Sequence, residues 1–268
     1  MISKYKIEDS QINELFSNNF NFSLCPANEP IEITPELFSQ KCEELVGQYS
    51  DKRKHAEILR DFYQFAKFTE DPNYSQEFLQ RGIHSYLLFK LNEEINQEFN
   101  PIDQNFNWKY LGFILLTIQI YSYHSIEIME EFMVQDIFSC LLFTLNFLIS
   151  IRCDSNFGPV CTNIYLIFSI ILNYFSEIKI TEYNVNIDDL LKFCFDELST
   201  SDDIDIETII IKNFSTFLMR FDVFNDDVRK AIFESFEQIL NKNCISLFNE
   251  VLFTLTSFAK IEPGIRFI

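Results

Sequence analysis

Glycine and proline are sparse in this 268-residue chain, with five and seven of them, and no proline falls between Pro159 and Pro263. A turn-rich all-β chain needs both residue types, so their scarcity argues against that class and favours long helices. Positive charge is equally short: 21 Lys and Arg stand against 40 Asp and Glu, a formal net charge of −19. Nucleic-acid binding rests on Lys and Arg releasing counterions from phosphates, and docking on anionic lipid needs the same residues; the balance argues against both. Only three histidines occur, His55, His84 and His124, each isolated in sequence. There is no G-x-S-x-G, no phosphate-cradling glycine loop and no H-E-x-x-H, so neither an enzymatic activity nor a cofactor is expected. The seven cysteines contain no CxxC pair, which argues against a metal site, and free thiols suit a reducing compartment. The opening residues, MISKYKIEDSQ, hold no apolar leader, so the expected location is cytoplasmic or nuclear.

What the chain does have is apolar bulk: 47% hydrophobic residues, including 31 Phe. The stretch FLQRGIHSYLLFKL (78–91) returns 54 residues later as FMVQDIFSCLLFTL (132–145), with seven of fourteen positions identical. A fixed-period echo of this kind is the mark of repeat architectures. Two runs without formal charge, 22 residues over 155–176 and 15 over 137–151, come near the length of a membrane span. The longer run carries Asn156, Gly158, Pro159, Thr162, Asn163, Ser169 and Asn173, and no basic cluster flanks either one. They read as interior helices of a large protein rather than as a membrane hairpin.

Residues 1–33, with Asn18, Asn19, Asn21 and the run CPANEP, read as an irregular N-terminal arm, and 34–268 as one helical domain. Thr34-Pro35-Glu36 is a strong helix start: a capping hydroxyl, proline at the first helical position and an acid in the first turn. The pattern then predicts short, long and long helices in turn: a short turn at 75–80 and a helix at 83–95, a loop through Pro101, a helix at 107–121. The series continues as 126–134, 136–150 and 159–177, then a turn near 181–184 with helices at 187–199 and 204–221, and last 226–241 and 245–260.

Short, long, long, with glycine at the sharp bend between the first two, resembles the armadillo repeat. Gly82, Ile83, Tyr86, Leu87, Phe89, Lys90 and Leu91 follow the family's second-helix pattern, and Asp136, Asn186 and Asn225 stand where the other units would have their glycine. The resemblance implies a right-handed α-solenoid of about five armadillo-like repeats, HEAT-like at the ends, with HEAT-like packing or an irregular helical array as the alternative. In armadillo proteins the third helices line a concave groove, and a polar residue near the end of each holds an extended peptide. Carried over residue by residue, that column is Gln64, Gln119, Asn173, Arg220 and Ser257, spaced by 55, 54, 47 and 37 residues. An amide suits the role because it offers one donor and one acceptor to a peptide unit.

The tryptophans that nuclear import adaptors of this family place four residues earlier are missing, since Arg60, Leu115, Ser169, Thr216 and Phe253 stand there. Without that aromatic array the clamp on lysine side chains is lost. The acidic clusters near helix corners read first as helix caps and second as an edge that attracts a basic partner. The expected function is therefore a non-catalytic scaffold or adaptor that binds a protein or extended peptide. A structural subunit docking, or self-associating, through an uncapped C-terminal end face (Ile265, Phe267, Ile268) is the alternative.

Overall fold

A computed structural model describes residues 34–261 apart from 48–51, 69–71, 97–107, 151–156, 184, 221–225 and 243. The described residues form thirteen helices and no strand: α1 (Pro35–Gly47), α2 (Lys52–Phe68), α3 (Pro72–Gln80), α4 (Ile83–Ile95), α5 (Trp108–His124), α6 (Ile126–Val134), α7 (Ile137–Ser150), α8 (Phe157–Tyr174), α9 (Glu177–Glu182), α10 (Ile187–Thr200), α11 (Ile204–Arg220), α12 (Asp226–Leu240) and α13 (Ile245–Ile261). The chain is all-α, as its composition and periodicity require.

The most apolar helices occupy the middle. From Tyr110 to Ser122 every residue of α5 is buried, and α8 is nearly the same from Val160 to Leu172. A helix apolar all round must be covered on all sides, and here the covering follows chain order. α5 packs between α2 and α8, and α11 packs between α8 and α13. The amphipathic helices lie outside this layer: α4 on α5, α7 on α8, α10 on α11, and α12 against α11 and α13.

Aromatic rings join the two layers. Phe138 of α7 meets Phe168 of α8 at 5.1 Å, and Phe195 of α10 meets Phe214 of α11 at 5.0 Å. Phe233 of α12 meets Phe258 of α13 at 5.7 Å. At the N-terminal end Phe78 of α3 stacks on Tyr121 of α5 at 4.3 Å, while Phe62 of α2 takes Phe38 of α1 edge-on at 5.3 Å. Each such pair adds about 1 kcal/mol beyond the area it buries.

The bends show where the echo is structural. Gly82 closes α3 into α4 at φ 67°, and Asp136, 54 residues on, closes α6 into α7 at φ 58°. Asp136 tolerates the left-handed conformation and also caps α7, accepting from Ser139 N at 3.3 Å. Asn186 does not take this part. It is extended (φ −87°) and caps α10 by accepting from Asp189 N at 3.4 Å. Asn225 lies outside the described residues. Two boundaries also shift: α3 begins at Pro72, and α8 stops at Tyr174 because Ser176 turns extended and caps a separate α9.

Inside the echo the buried positions are free to change chemistry. His84 is buried against Phe132 at the place where the second copy has Phe138. Burial holds its pKa below the ordinary 6.5, against a smaller opposite pull from Glu131. The folded chain therefore binds this proton less readily than the unfolded chain, and stability falls as pH drops below about 6.5. His84→Phe should flatten that part of the pH profile of urea unfolding between about pH 7.5 and pH 5. Gly82→Ala should cost about 1 kcal/mol through its positive φ alone, since nothing lies within 4 Å of the added Cβ. Asp136→Ala should cost about 1–2 kcal/mol in the same assay because it also removes the cap.

A candidate binding column along the inner helices

The closing turns of the inner helices hold the candidate column, and they are stitched to one another by side chains. Tyr121 of α5 donates its hydroxyl to Phe62 O of α2 at 3.3 Å, and Tyr174 of α8 donates to Tyr123 O of α5 at 2.5 Å. Arg220, the last residue of α11, donates Nη1 to Leu172 O of α8 at 2.8 Å and to Asn173 O. The last carbonyls of a helix have no partner within it. The acceptors on α5 and α8 are such carbonyls, so these donors satisfy them while fixing the register of neighbouring helices.

The five column residues fare differently. The Gln64 side chain lies outside the described residues. Gln119 departs from the expected groove position: it is 0% exposed, and neither amide atom has a hydrogen-bond partner. Ser122, one turn on, is likewise buried with an unpartnered Oγ. The reason is the full enclosure of α5, which leaves no side of that helix open. Asn173 is half-buried and donates Nδ2 to Ser169 O of its own helix at 2.8 Å. Arg220 is exposed and Ser257 half-buried. The structure brings Asn173 and Arg220 together through the Asn173 carbonyl. Among the described residues of the column, Asn173, Arg220 and Ser257 are the accessible ones.

A polar core in the same layer escaped the sequence reading. Asn213, 0% exposed in α11, donates Nδ2 to Tyr165 O of α8 at 3.3 Å, and Ser169 donates Oγ to Asn213 Oδ1. The signal was present as a lone amide in the stretch IIIKNFSTF (209–217), on the side of the helix that carries its isoleucines and phenylalanines. Asn163 of α8 is equally buried, and both of its amide atoms are unpartnered.

Two buried carboxylates are tied to lysines. Glu207 of α11 receives Lys242 Nζ at 2.6 Å, and the same nitrogen donates to Ser201 O at 3.1 Å. Glu94 of α4 pairs with Lys52 of α2 at 2.8 Å. The corner acids act as caps. Asp203 accepts from the backbone N of Asp205 at 3.0 Å and of Ile206 at 3.3 Å, and its other oxygen sits where a Cβ on Gly158 would have to go. Glu127 accepts from Ser125 Oγ at 2.8 Å, and these backbone and hydroxyl donors hold its pKa below the ordinary carboxylate value. Burial pushes the Cys42 and Cys140 thiols up to about 12 and Cys194 higher still, so all three stay protonated and serve as small apolar side chains. Among the described residues no three His, Cys, Asp or Glu gather as a metal site would require. Among them, too, no single helix is long and apolar enough to cross a membrane, although α6 and α7 together, bent by 76°, have the length and composition.

No protein-family model matches this chain, and no curated protein matches it. A crystal structure of an engineered protein from the Northeast Structural Genomics Consortium is similar in fold, with a TM-score of 0.53 at 14% identity over 85% of this chain and 86% of that one. At that identity the likeness concerns the helical fold alone.

Gln119→Leu should raise stability by about 1–2 kcal/mol, measured by thermal or urea unfolding, because it replaces an unpartnered buried amide with an apolar group of similar size.

Proposed function

We propose that this chain is a non-catalytic scaffold or adaptor, an armadillo-like right-handed α-solenoid that binds a segment of another protein along its inner helices. The observation that carries the reading is the chain-order packing of α2, α5, α8, α11 and α13, with donors placed along one edge of that series. A rigid row of helices presents polar groups at fixed spacing without adjusting itself to the partner, which lowers the ordering cost of binding. The receptive residues are Asn173, Arg220 and Ser257, where the column stays accessible. Affinity would come from a few buried contacts. Specificity would come from acidic residues along the rim, which favour a basic partner and speed its approach. With no disulfide among the described cysteines and a strongly acidic surface, the cytoplasm or nucleus is the compartment this reading assigns.

A second reading, a structural subunit of a larger assembly, is favoured by α13. Ile245, Phe248, Leu252 and Phe253 are all exposed on this last helix, with Ile245 at 78%. The residues named for that role from sequence, Ile265, Phe267 and Ile268, lie outside the described residues.

Affinity capture with mass spectrometry, comparing the wild type with an Asn173→Ala, Ser257→Ala variant, decides between the readings. The scaffold reading expects a partner lost by about tenfold or more from the variant while its helical circular dichroism is unchanged. Capture that persists in this variant but disappears with Phe248→Asp, Leu252→Asp supports the subunit reading.

A further inference from the structure

A second feature lies on the opposite layer and does not depend on the column. In the echoed helices α4 and α7 the exposed positions repeat more faithfully than the buried ones. Ser85, Phe89 and Asn92 face solvent on α4, and Ser139, Phe143 and Asn146 occupy the same places on α7, exposed and identical in each case. The buried positions are mixed: Ile83/Ile137, Leu87/Leu141 and Leu91/Leu145 are identical, whereas His84 aligns with Phe138, Tyr86 with Cys140 and Lys90 with Thr144. Core packing explains why apolar residues recur inside a repeat. It gives no reason for a phenylalanine to recur outside. Phe89 is 59% exposed and Phe143 50%, on helices that pack side by side.

Two contacts set the register of the pair. Gln135 donates to Ser85 Oγ at 2.9 Å, and Cys140 Sγ donates to Asn92 Oδ1 at 3.4 Å. They place Phe89 level with the first turn of α7, so Phe143 lies further along as well as one helix over. With a helix spacing of about 8–10 Å and a rise of about 1.5 Å per residue, the two rings stand roughly 11 Å apart along a diagonal. That is about two turns of helix, the separation of residues i and i+7 on one face of an α-helix. The surroundings carry negative charge. α6 packs against both α4 and α7 and exposes Glu127 and Glu131, and Asp136 is exposed on the pair's own border. Glu93 is taken up by Lys90 at 2.6 Å, whose ammonium stands over the Phe89 ring at 5.5 Å.

We infer that the groove between α4 and α7 is a docking site for a lysine- or arginine-bearing amphipathic helix of a partner protein, anchored by two apolar side chains seven residues apart on Phe89 and Phe143. Helix-in-groove docking lays the apolar face of an amphipathic helix on apolar anchors, with its polar face turned to the borders. Glu127, Glu131 and Asp136 meet the basic face, and the Asn92 and Asn146 amides stand beside the anchors. The same carboxylates repel an anionic membrane, and the chain's charge of −19 repels a second copy of itself.

The test titrates the full chain with a short fluorescein-labelled helical peptide of Lys, Ala and Leu whose leucines recur at i, i+4, i+7 and i+11. A peptide of the same composition with scattered leucines measures attraction by charge alone. The patterned peptide should bind about tenfold or more tightly than the scattered one, and the variant Phe89→Ser, Phe143→Ser should abolish the difference. Both rings are exposed, so the variant should unfold at the wild-type temperature, and Phe89→Tyr, Phe143→Tyr should restore most of the binding. Equal binding of the patterned peptide to wild type and serine variant overturns the proposal. So does equal binding of an extended proline-rich peptide of matching charge. Capture by phosphatidylcholine vesicles, or a dimer in light scattering that the serine variant loses, assigns the rings to a membrane or to a second copy instead.

Discussion

The fold depends on covering α5 and α8, two helices that are apolar almost all the way round, and α11, which is buried along most of its length. Each can lose water on every side only if other helices flank it in its own layer and a further helix lies against its back. Chain order supplies the flanking partners, and α4, α7 and α10 supply the backs. The aromatic contacts between the layers follow from that demand, because a phenylalanine bridges the gap between two helix surfaces better than an aliphatic side chain does. The carbonyls left over at the C-terminal turns are met by Tyr174 and Arg220, reaching from the next helix in the series. Polar residues that enter this layer are acceptable where they find partners, as Asn213 does on Tyr165 and Ser169. Gln119 and Asn163 are the places where the covering is complete and the amides are unmatched.

Charge is arranged by the same constraint. An ionised group in the middle layer would lose its hydration without compensation, so the acids gather at helix starts and on outer faces. Two of the buried charges, Glu94 and Glu207, are joined to Lys52 of α2 and to Lys242 just past α12, and so act as cross-ties between elements. The result is a molecule with an apolar, rigid interior row and an acidic exterior. Both proposed surfaces draw on this: one at the edge of the interior row, and one on the outer helices where aromatic rings break the acidic surface.

Much of this was legible in the sequence. Helix positions followed from the period of the apolar residues, and the bend at Gly82 with its counterpart at Asp136 followed from the echo, because a left-handed turn accepts few residue types. Capping was legible too, at Thr34 and in the acidic corner cluster that includes Asp203. The misreadings have specific causes. Asn186 occupies a corner but serves as a cap, because asparagine suits both jobs and sequence does not separate them. Gln119 matches the column by spacing alone, and spacing does not reveal that its helix is enclosed on every side. Phe89 matched an apolar position of the repeat pattern and lies in solvent, because periodicity registers a residue's polarity and is blind to which face has a neighbour.

By itself the sequence determined the all-α class, the order and approximate ends of the helices and the acidic exterior, because these depend on local backbone preference and on composition. The tertiary structure decided which sides of those helices meet water. That outcome separates the enclosed Gln119 from the accessible Asn173 and Arg220, and it leaves Phe89 and Phe143 exposed. Exposure belongs to pairs of elements far apart in the chain, and no single stretch of residues carries that information.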